Sequence, residues 1–112
     1  MESMIKAQNM DLGTGQFIRD YLLRAGEAYP YEIYRALKDE KEFKGLTMGS
    51  ATNFYRYFYI LRKLGAVQKT GRVEPSSRRG MDRVYYKMTV GFEGRDDIWN
   101  NPQKEMRSIR RN

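Results

Sequence analysis

Apolar side chains recur at helical spacing near the start of the chain. Within residues 16–25, four apolar residues stand at positions i, i+3, i+4 and i+7: Ile18, Tyr21, Leu22 and Ala25. Steps of three and four residues place them on one face of an α-helix, and the glycine that follows, Gly26, is a common helix end. We therefore predict a first amphipathic helix over 16–25, with Gly13-Thr14-Gly15 forming a turn before it.

A second helical pattern begins at Pro30, a residue that the first turn of a helix tolerates. Ile33 and Leu37 lie four residues apart, and Ala36 falls beside them on the same face. This pattern predicts a second helix of about ten residues. A connector with glycines at positions 45 and 49 follows it.

The stretch 50–67, SATNFYRYFYILRKLGAV, has the clearest helical pattern and mixes aromatic residues with cations. Projected on a helix, one side within an arc of about 120° holds Phe54, Tyr57, Phe58, Leu61 and Leu64. The opposite side holds Thr52, Arg56, Tyr59 and Lys63, and Tyr55 and Arg62 lie at the edge of that side. We predict that the first set is buried and the second exposed, on a helix capped by Ser50 and ended by Gly65.

Two segments with a period of two follow the third helix. AVQKTGRV (66–73) and RVYYKMT (83–89) are rich in Val, Tyr and Thr, which favours β-strands. Between them, EPSSRRGMD (74–82) has the proline, serines and glycine of a hairpin loop and two adjacent arginines. The predicted order is three helices, a strand, a basic loop and a second strand.

The two ends of the chain are less regular. Residues 1–14 are predicted as an N-terminal arm or short helix, residues 15–90 as the folded domain, and residues 91–112 as a C-terminal tail. Asn101-Pro102 is a reasonable start for a short helix through Arg111, although a helix of that length is marginal unless it packs on something.

Composition excludes several classes of catalytic site and leaves no visible catalytic machinery. The chain has no cysteine and no histidine, which excludes disulfides, thiolate or histidine catalysis, and zinc sites of the Cys/His type. No Walker or GxGxxG pattern is present. We therefore predict that the protein is not an enzyme and uses no cofactor or metal. With no apolar run of about 18 residues and no signal-peptide pattern, it is expected in the cytoplasm, near the nucleoid if it binds DNA.

Positive charge is concentrated in the middle of the chain. The net charge is +7, but residues 44–89 alone have ten basic and two acidic side chains. Residues 1–43 have six basic and eight acidic side chains. A basic block of this kind is typical of a surface that binds a polyanion.

The order of elements resembles a winged helix-turn-helix, an α+β, mainly α fold with a three-helix core and a two-stranded wing. The segments YPYEIYRALKDE, SATNFYRYFYILRKLGAV and RVYYKMT resemble regulators of the PadR and MarR type. The resemblance implies a recognition helix over 50–64 in the DNA major groove and a wing loop over 74–82 on the backbone or minor groove. Those families dimerise through additional long helices, often C-terminal, and their effector pockets lie largely in that region. The short polar tail here therefore supports no small-molecule effector.

The expected function is sequence-specific binding of double-stranded DNA by a transcriptional regulator. Arg56 is expected to read a guanine edge, Tyr55 and Tyr59 to bind phosphates through their hydroxyls, and Arg78 and Arg79 to enter the minor groove. The full predicted set is Ser50, Thr52, Asn53, Tyr55, Arg56, Tyr59, Arg62, Lys63, Lys69, Arg72, Arg78, Arg79 and Arg83.

Two other functions fit parts of the pattern. A winged helix can dock a protein partner, and exposed tyrosines on the third helix would suit that role, although a protein adaptor does not need a basic wing. Structured RNA shares the charge signature of DNA. A homodimer is an additional possibility, because a two-fold protein matches palindromic half-sites, and no membrane partner is expected.

Overall fold

The computed structural model describes the backbone of residues 2–76 and 82–111, and the side chains of residues 13–76 and 82–107. The elements in chain order are α1 (Glu2–Ala25), α2 (Pro30–Phe43), α3 (Ala51–Lys63), β1 (Val67–Glu74), β2 (Arg83–Met88), α4 (Asp96–Asn100) and α5 (Pro102–Arg111). Three helices precede an antiparallel β1–β2 hairpin, so the predicted winged-helix, mainly helical fold is confirmed. No helix in the described part of the chain is long and apolar enough to cross a membrane.

The core lies where the first three helices meet the hairpin. Its buried side chains include Ile18, Leu22, Ile33, Leu37, Phe54, Phe58, Leu61, Val67 and Tyr86. Burial of each large apolar side chain stabilises the fold by about 1.5–3 kcal/mol. On α3 the buried face is the predicted one, with Tyr57 and Leu64 partly buried at its edges. Ala25, which was expected on the buried face of the first helix, is exposed.

The first helix begins much earlier than its apolar pattern indicates. α1 runs from Glu2 through Gly13 and Gly15, so the predicted turn at residues 13–15 is wrong. Gly15 is required by packing instead. A Cβ atom placed there would lie 1.8 Å from the backbone carbonyl oxygen of Trp99. The absence of a side chain lets the C-terminal segment approach the helix backbone.

Gly15→Ala is therefore expected to destabilise the protein by about 2 kcal/mol or more, because overpacking against a backbone atom outweighs the better helix propensity of alanine. Gly13→Ala is the matched control, since no atom lies within 4 Å of a Cβ at that position. That variant should gain about 0.5–1 kcal/mol. Urea unfolding of both variants measures the difference, and equal stabilities would contradict the close approach at Gly15.

The first strand of the hairpin is irregular, and the second strand also pairs with one residue outside the hairpin. Lys69 pairs with Tyr86 and Val73 with Val84, so Thr70, Gly71 and Arg72 face the single residue Tyr85. Gly71 has a φ of 94°, which a glycine adopts without strain. On its other edge, β2 pairs with Ala28 through Tyr86. The Ala28 N–H donates to the Tyr86 carbonyl at 3.0 Å, and the Tyr86 N–H donates to the Ala28 carbonyl at 2.8 Å. This bridge fixes the hairpin to the segment between α1 and α2.

The C-terminal segment packs on the same core. Ile98 and Trp99 are buried, and the Trp99 indole donates to the Phe92 carbonyl at 2.7 Å. The Arg19 guanidinium on α1 donates a 2.9 Å hydrogen bond to the Asp96 carboxylate. The short helix expected after Asn101-Pro102 is confirmed as α5, whereas α4 and the burial of Trp99 were not predicted.

Candidate nucleic-acid interface

The outer face of α3 is exposed along its whole length, as its pattern predicts. Thr52, Asn53, Tyr55, Arg56, Tyr59, Arg62 and Lys63 are all exposed. The helix is fixed at its start, where the Ser50 hydroxyl accepts a 3.2 Å hydrogen bond from the Asn53 N–H. The predicted N-cap is thereby confirmed. Phe54 and Phe58 hold the opposite face in the core, so the orientation of the outer face is set by packing.

The cations on this surface are not paired with carboxylates in the described part of the chain. Among the side chains of residues 13–76 and 82–107, no carboxylate forms an ion pair with Arg56, Arg62, Lys63 or Lys69. Charges without nearby counter-charges add up to a positive potential over the surface they share. Such a surface attracts polyanions and exchanges their bound counterions.

Three of these cations line one hollow, which we name the basic groove. It lies between the end of α3 and the start of the hairpin, has a volume of about 410 Å³ and includes Arg62, Lys63 and Lys69. Two contacts hold its walls. The Arg62 guanidinium lies 5.2 Å from the Tyr86 ring, and the Lys63 ammonium lies 5.3 Å from the Tyr59 ring.

A second hollow lies at the other end of α3. It has a volume of about 410 Å³ and brings together Ser50, Asn53 and Arg56 with Lys41 of α2. Lys41 was not in the predicted set, because it belongs to the helix before the connector. Only the fold shows that the end of α2 faces the start of α3.

Arg72 differs from the other predicted cations because two carboxylates hold it. Its guanidinium contacts Glu74 at 3.1 Å and Glu27 at 3.6 Å, and lies 4.1 Å from the Tyr85 ring. The Tyr85 hydroxyl donates to the same Glu74 carboxylate. The charge of Arg72 is thus largely compensated inside the protein, and its contacts hold the bulge of β1.

This arrangement sets a pH dependence. The hydrogen bond from Tyr85, followed by that from Arg72, lowers the pKa of Glu74 below its ordinary value of 4.5. A lowered pKa contributes stability that is present above 4.5 and is lost as the pH falls through the folded-state value. The difference in thermal midpoint between the wild type and Glu74→Gln should therefore shrink as the pH falls below 4.5. A difference that stays constant with pH would contradict the network.

The remaining predicted residues lie elsewhere. Arg83 is exposed, with its guanidinium 5.1 Å from the Tyr29 ring. Arg78 and Arg79 lie outside the described residues. Arg35 of α2, missed by the sequence argument, lines the same cavity as Tyr55 and Arg83. Little in the sequence distinguishes Arg35, because an isolated arginine on a predicted helix usually only extends into solvent.

Comparisons with known proteins support the fold. No family model matches the chain, and no curated protein matches its sequence. Among solved structures, the chain is similar to the circadian clock associated protein Pex from Anabaena, with 20% sequence identity and a TM-score of 0.57. The match covers 91% of this chain and 84% of Pex. At this identity the likeness shows the fold alone, and the resemblance to PadR and MarR regulators stays a prediction.

Proposed function

We propose that the protein binds double-stranded DNA in a sequence-specific manner and acts as a transcriptional regulator, with α3 in the major groove. The observation that supports this most directly is the exposed outer face of α3, whose uncompensated Arg56 and Lys63 continue into the basic groove. In winged helix-turn-helix proteins, the recognition helix reads base edges while nearby cations bind the phosphates.

Base reading is assigned to the first half of α3. Thr52, Asn53 and Arg56 are exposed near the start of the helix, the end that contacts bases in this class of protein. An arginine donates two parallel hydrogen bonds to the O6 and N7 atoms of guanine, a contact that discriminates by about 1–3 kcal/mol. Asn53 has the amide that recognises adenine in the same geometry.

Phosphate binding is assigned to the second half of α3 and the hairpin. Arg62, Lys63 and Lys69 surround one groove, so a phosphate placed there meets three cations. Tyr59 at the rim of this groove provides a hydroxyl donor for the same backbone. The wing loop, with Arg78 and Arg79, is expected to contact the adjacent backbone or minor groove.

Fluorescence anisotropy with a labelled random-sequence duplex at low salt tests the proposal. If about four phosphates are neutralised, the plot of log K against log salt should have a slope of about −3.6. No binding at tens of micromolar protein would overturn the proposal. A structured RNA that competes better than duplex DNA would reassign the surface to RNA.

Separate roles for Arg56 and Lys69 give a sharper prediction. Arg56→Ala should reduce the preference for the best selected sequence over random duplex by about 5- to 150-fold. Lys69→Ala should weaken binding to all sequences alike and reduce the salt slope by about 0.9. Binding measured on both duplexes at several salt concentrations separates the effects. Identical behaviour of the two variants would contradict these roles.

We also propose that the DNA-bound form is a homodimer, because a two-fold protein matches half-sites one helical turn apart. We propose α1 and α5 as the elements of this contact, since regulators of the PadR and MarR type, which the sequence resembles, dimerise through additional helices. Light scattering coupled to size exclusion measures the mass directly. A free protein of 13.3 kDa at all concentrations, together with a complex whose mass corresponds to one chain per palindromic duplex, would exclude the dimer.

A further inference from the structure

A cavity opens between the start of α2, the outer side of α3 and the start of β2. Its volume is about 560 Å³, within the range of pockets that bind small molecules. Its lining includes Tyr29, Tyr31, Arg35, Tyr55, Asp82 and Arg83. The predicted DNA contacts had placed Tyr55 and Arg83 on separate elements, and the fold brings them to one concavity.

The aromatic wall of the cavity packs against one neighbouring ring. Tyr34 stacks with Tyr31 at a centroid distance of 6.1 Å and with Tyr55 at 6.2 Å, and the interplanar angles are 25° and 24°. Tyr31 and Tyr55 remain 41% and 39% exposed. The Tyr55 hydroxyl is protonated at neutral pH, as for any tyrosine, and burial raises its pKa further, so it can donate a hydrogen bond. Partly exposed flat rings are a platform for stacking another planar ring.

Two arginines give the cavity a positive charge. Neither Arg35 nor Arg83 forms an ion pair with a carboxylate among the described side chains, although Asp82 lies in the same lining. Guanidinium groups bind phosphates through two parallel hydrogen bonds, and a carboxylate accepts hydrogen bonds from the amino groups of bases. The cavity thus combines aromatic rings for stacking, hydrogen-bond donors for an anion and a carboxylate that accepts hydrogen bonds.

We propose that this cavity binds a nucleotide with an unpaired base. The base stacks on the tyrosine wall formed by Tyr31 and Tyr55, and its phosphate contacts Arg35 and Arg83. The inference rests on the proposed function in one respect, because the cavity shares Tyr55 with the α3 surface offered to DNA. The nucleotide is either part of a strand, as an overhang or extrahelical base, or a free mononucleotide.

Three hairpin duplexes test the inference by anisotropy with the full chain. The first is blunt, the second has one unpaired adenosine nucleotide at its 5′ end, and the third has an abasic nucleotide there, which keeps the phosphate without the base. One stacked base should strengthen binding by about tenfold, so the second probe should bind about tenfold more tightly than the abasic probe. The abasic probe should bind at least as tightly as the blunt one, because it keeps the phosphate.

Two tyrosine variants locate the effect. Tyr55→Ala should remove the advantage of the overhang. Tyr59→Ala is the matched control, because Tyr59 lies four residues away on α3, is 51% exposed and does not line the cavity. It should weaken all three probes alike and keep their ratio. Loss of the ratio in both variants would overturn the assignment to this cavity.

The remaining outcomes separate the inference from the proposed function. Equal affinities for the three probes would overturn the inference and leave duplex binding intact. No binding of any probe would overturn both. If the overhang has its advantage, excess AMP distinguishes the source: removal of that advantage supports a site open to free nucleotides, whereas its persistence supports a strand-bound base.

Discussion

Replacing Trp99 with alanine is expected to lower the free energy of unfolding by about 3–5 kcal/mol. The side chain is fully buried, so its removal leaves a cavity among α1, α4 and the core. It also leaves the Phe92 carbonyl without the 2.7 Å hydrogen bond from the indole. The free energy of unfolding of a domain is about 5–15 kcal/mol in total, so the variant should lose at least about a fifth of its stability and, for a domain at the low end of that range, nearly all of it.

Urea unfolding followed by far-ultraviolet circular dichroism measures this loss without depending on tryptophan fluorescence. Phe43→Ala is the control, because that ring is 91% exposed and its removal should change stability by less than about 0.5 kcal/mol. A loss at Trp99 below about 1 kcal/mol would contradict the docking of the C-terminal segment. Together with the Gly15 variants, the result tests both sides of one contact.

Reversing two charges in the basic groove should have the largest effect on DNA binding. Arg62→Glu combined with Lys63→Glu replaces two cations that we propose bind phosphates by anions, and we expect at least about 100-fold weaker binding at low salt. Both side chains are exposed and form no ion pair among the described residues. The variant nevertheless loses the contacts with Tyr86 and Tyr59 and places two acidic groups in the last turn of α3, so its thermal midpoint should fall and binding is measured where circular dichroism shows it folded.

The matched control is Arg24→Glu combined with Lys38→Glu. It changes the net charge by the same amount at two exposed positions that do not line the basic groove. Anisotropy with one duplex at several salt concentrations compares the two double variants. If both lose affinity equally, binding depends on net charge alone and the groove has no special role.

The parts of the fold that were predicted correctly depend on local sequence. The two faces of α3 follow from the spacing of its apolar residues, and its ends follow from Ser50 and Gly65. Pro30 begins α2 as expected, and both strands were placed within one residue of their observed ends. Each of these features needs only neighbouring residues to determine it.

The parts that were missed depend on residues far apart in the chain. Gln16 and Asn100 share a hydrogen bond across 84 positions, and the same contact region explains Gly15, whose apparent role as a turn residue was wrong. Arg72 looked like any other cation of the basic block until the hairpin placed it beside Glu27 and Glu74. Local patterns do not contain such information.

The sequence by itself therefore determined the class of fold, the buried face of α3 and the concentration of positive charge. Periodicity and net charge are properties of the chain alone, and they do not depend on how the elements are arranged in space. The tertiary structure decided which cations remain uncompensated, how Trp99 completes the core, and that Tyr55, Arg35 and Arg83 share one cavity. Each of these features depends on distances between residues of different elements, and those distances are set only when the chain folds.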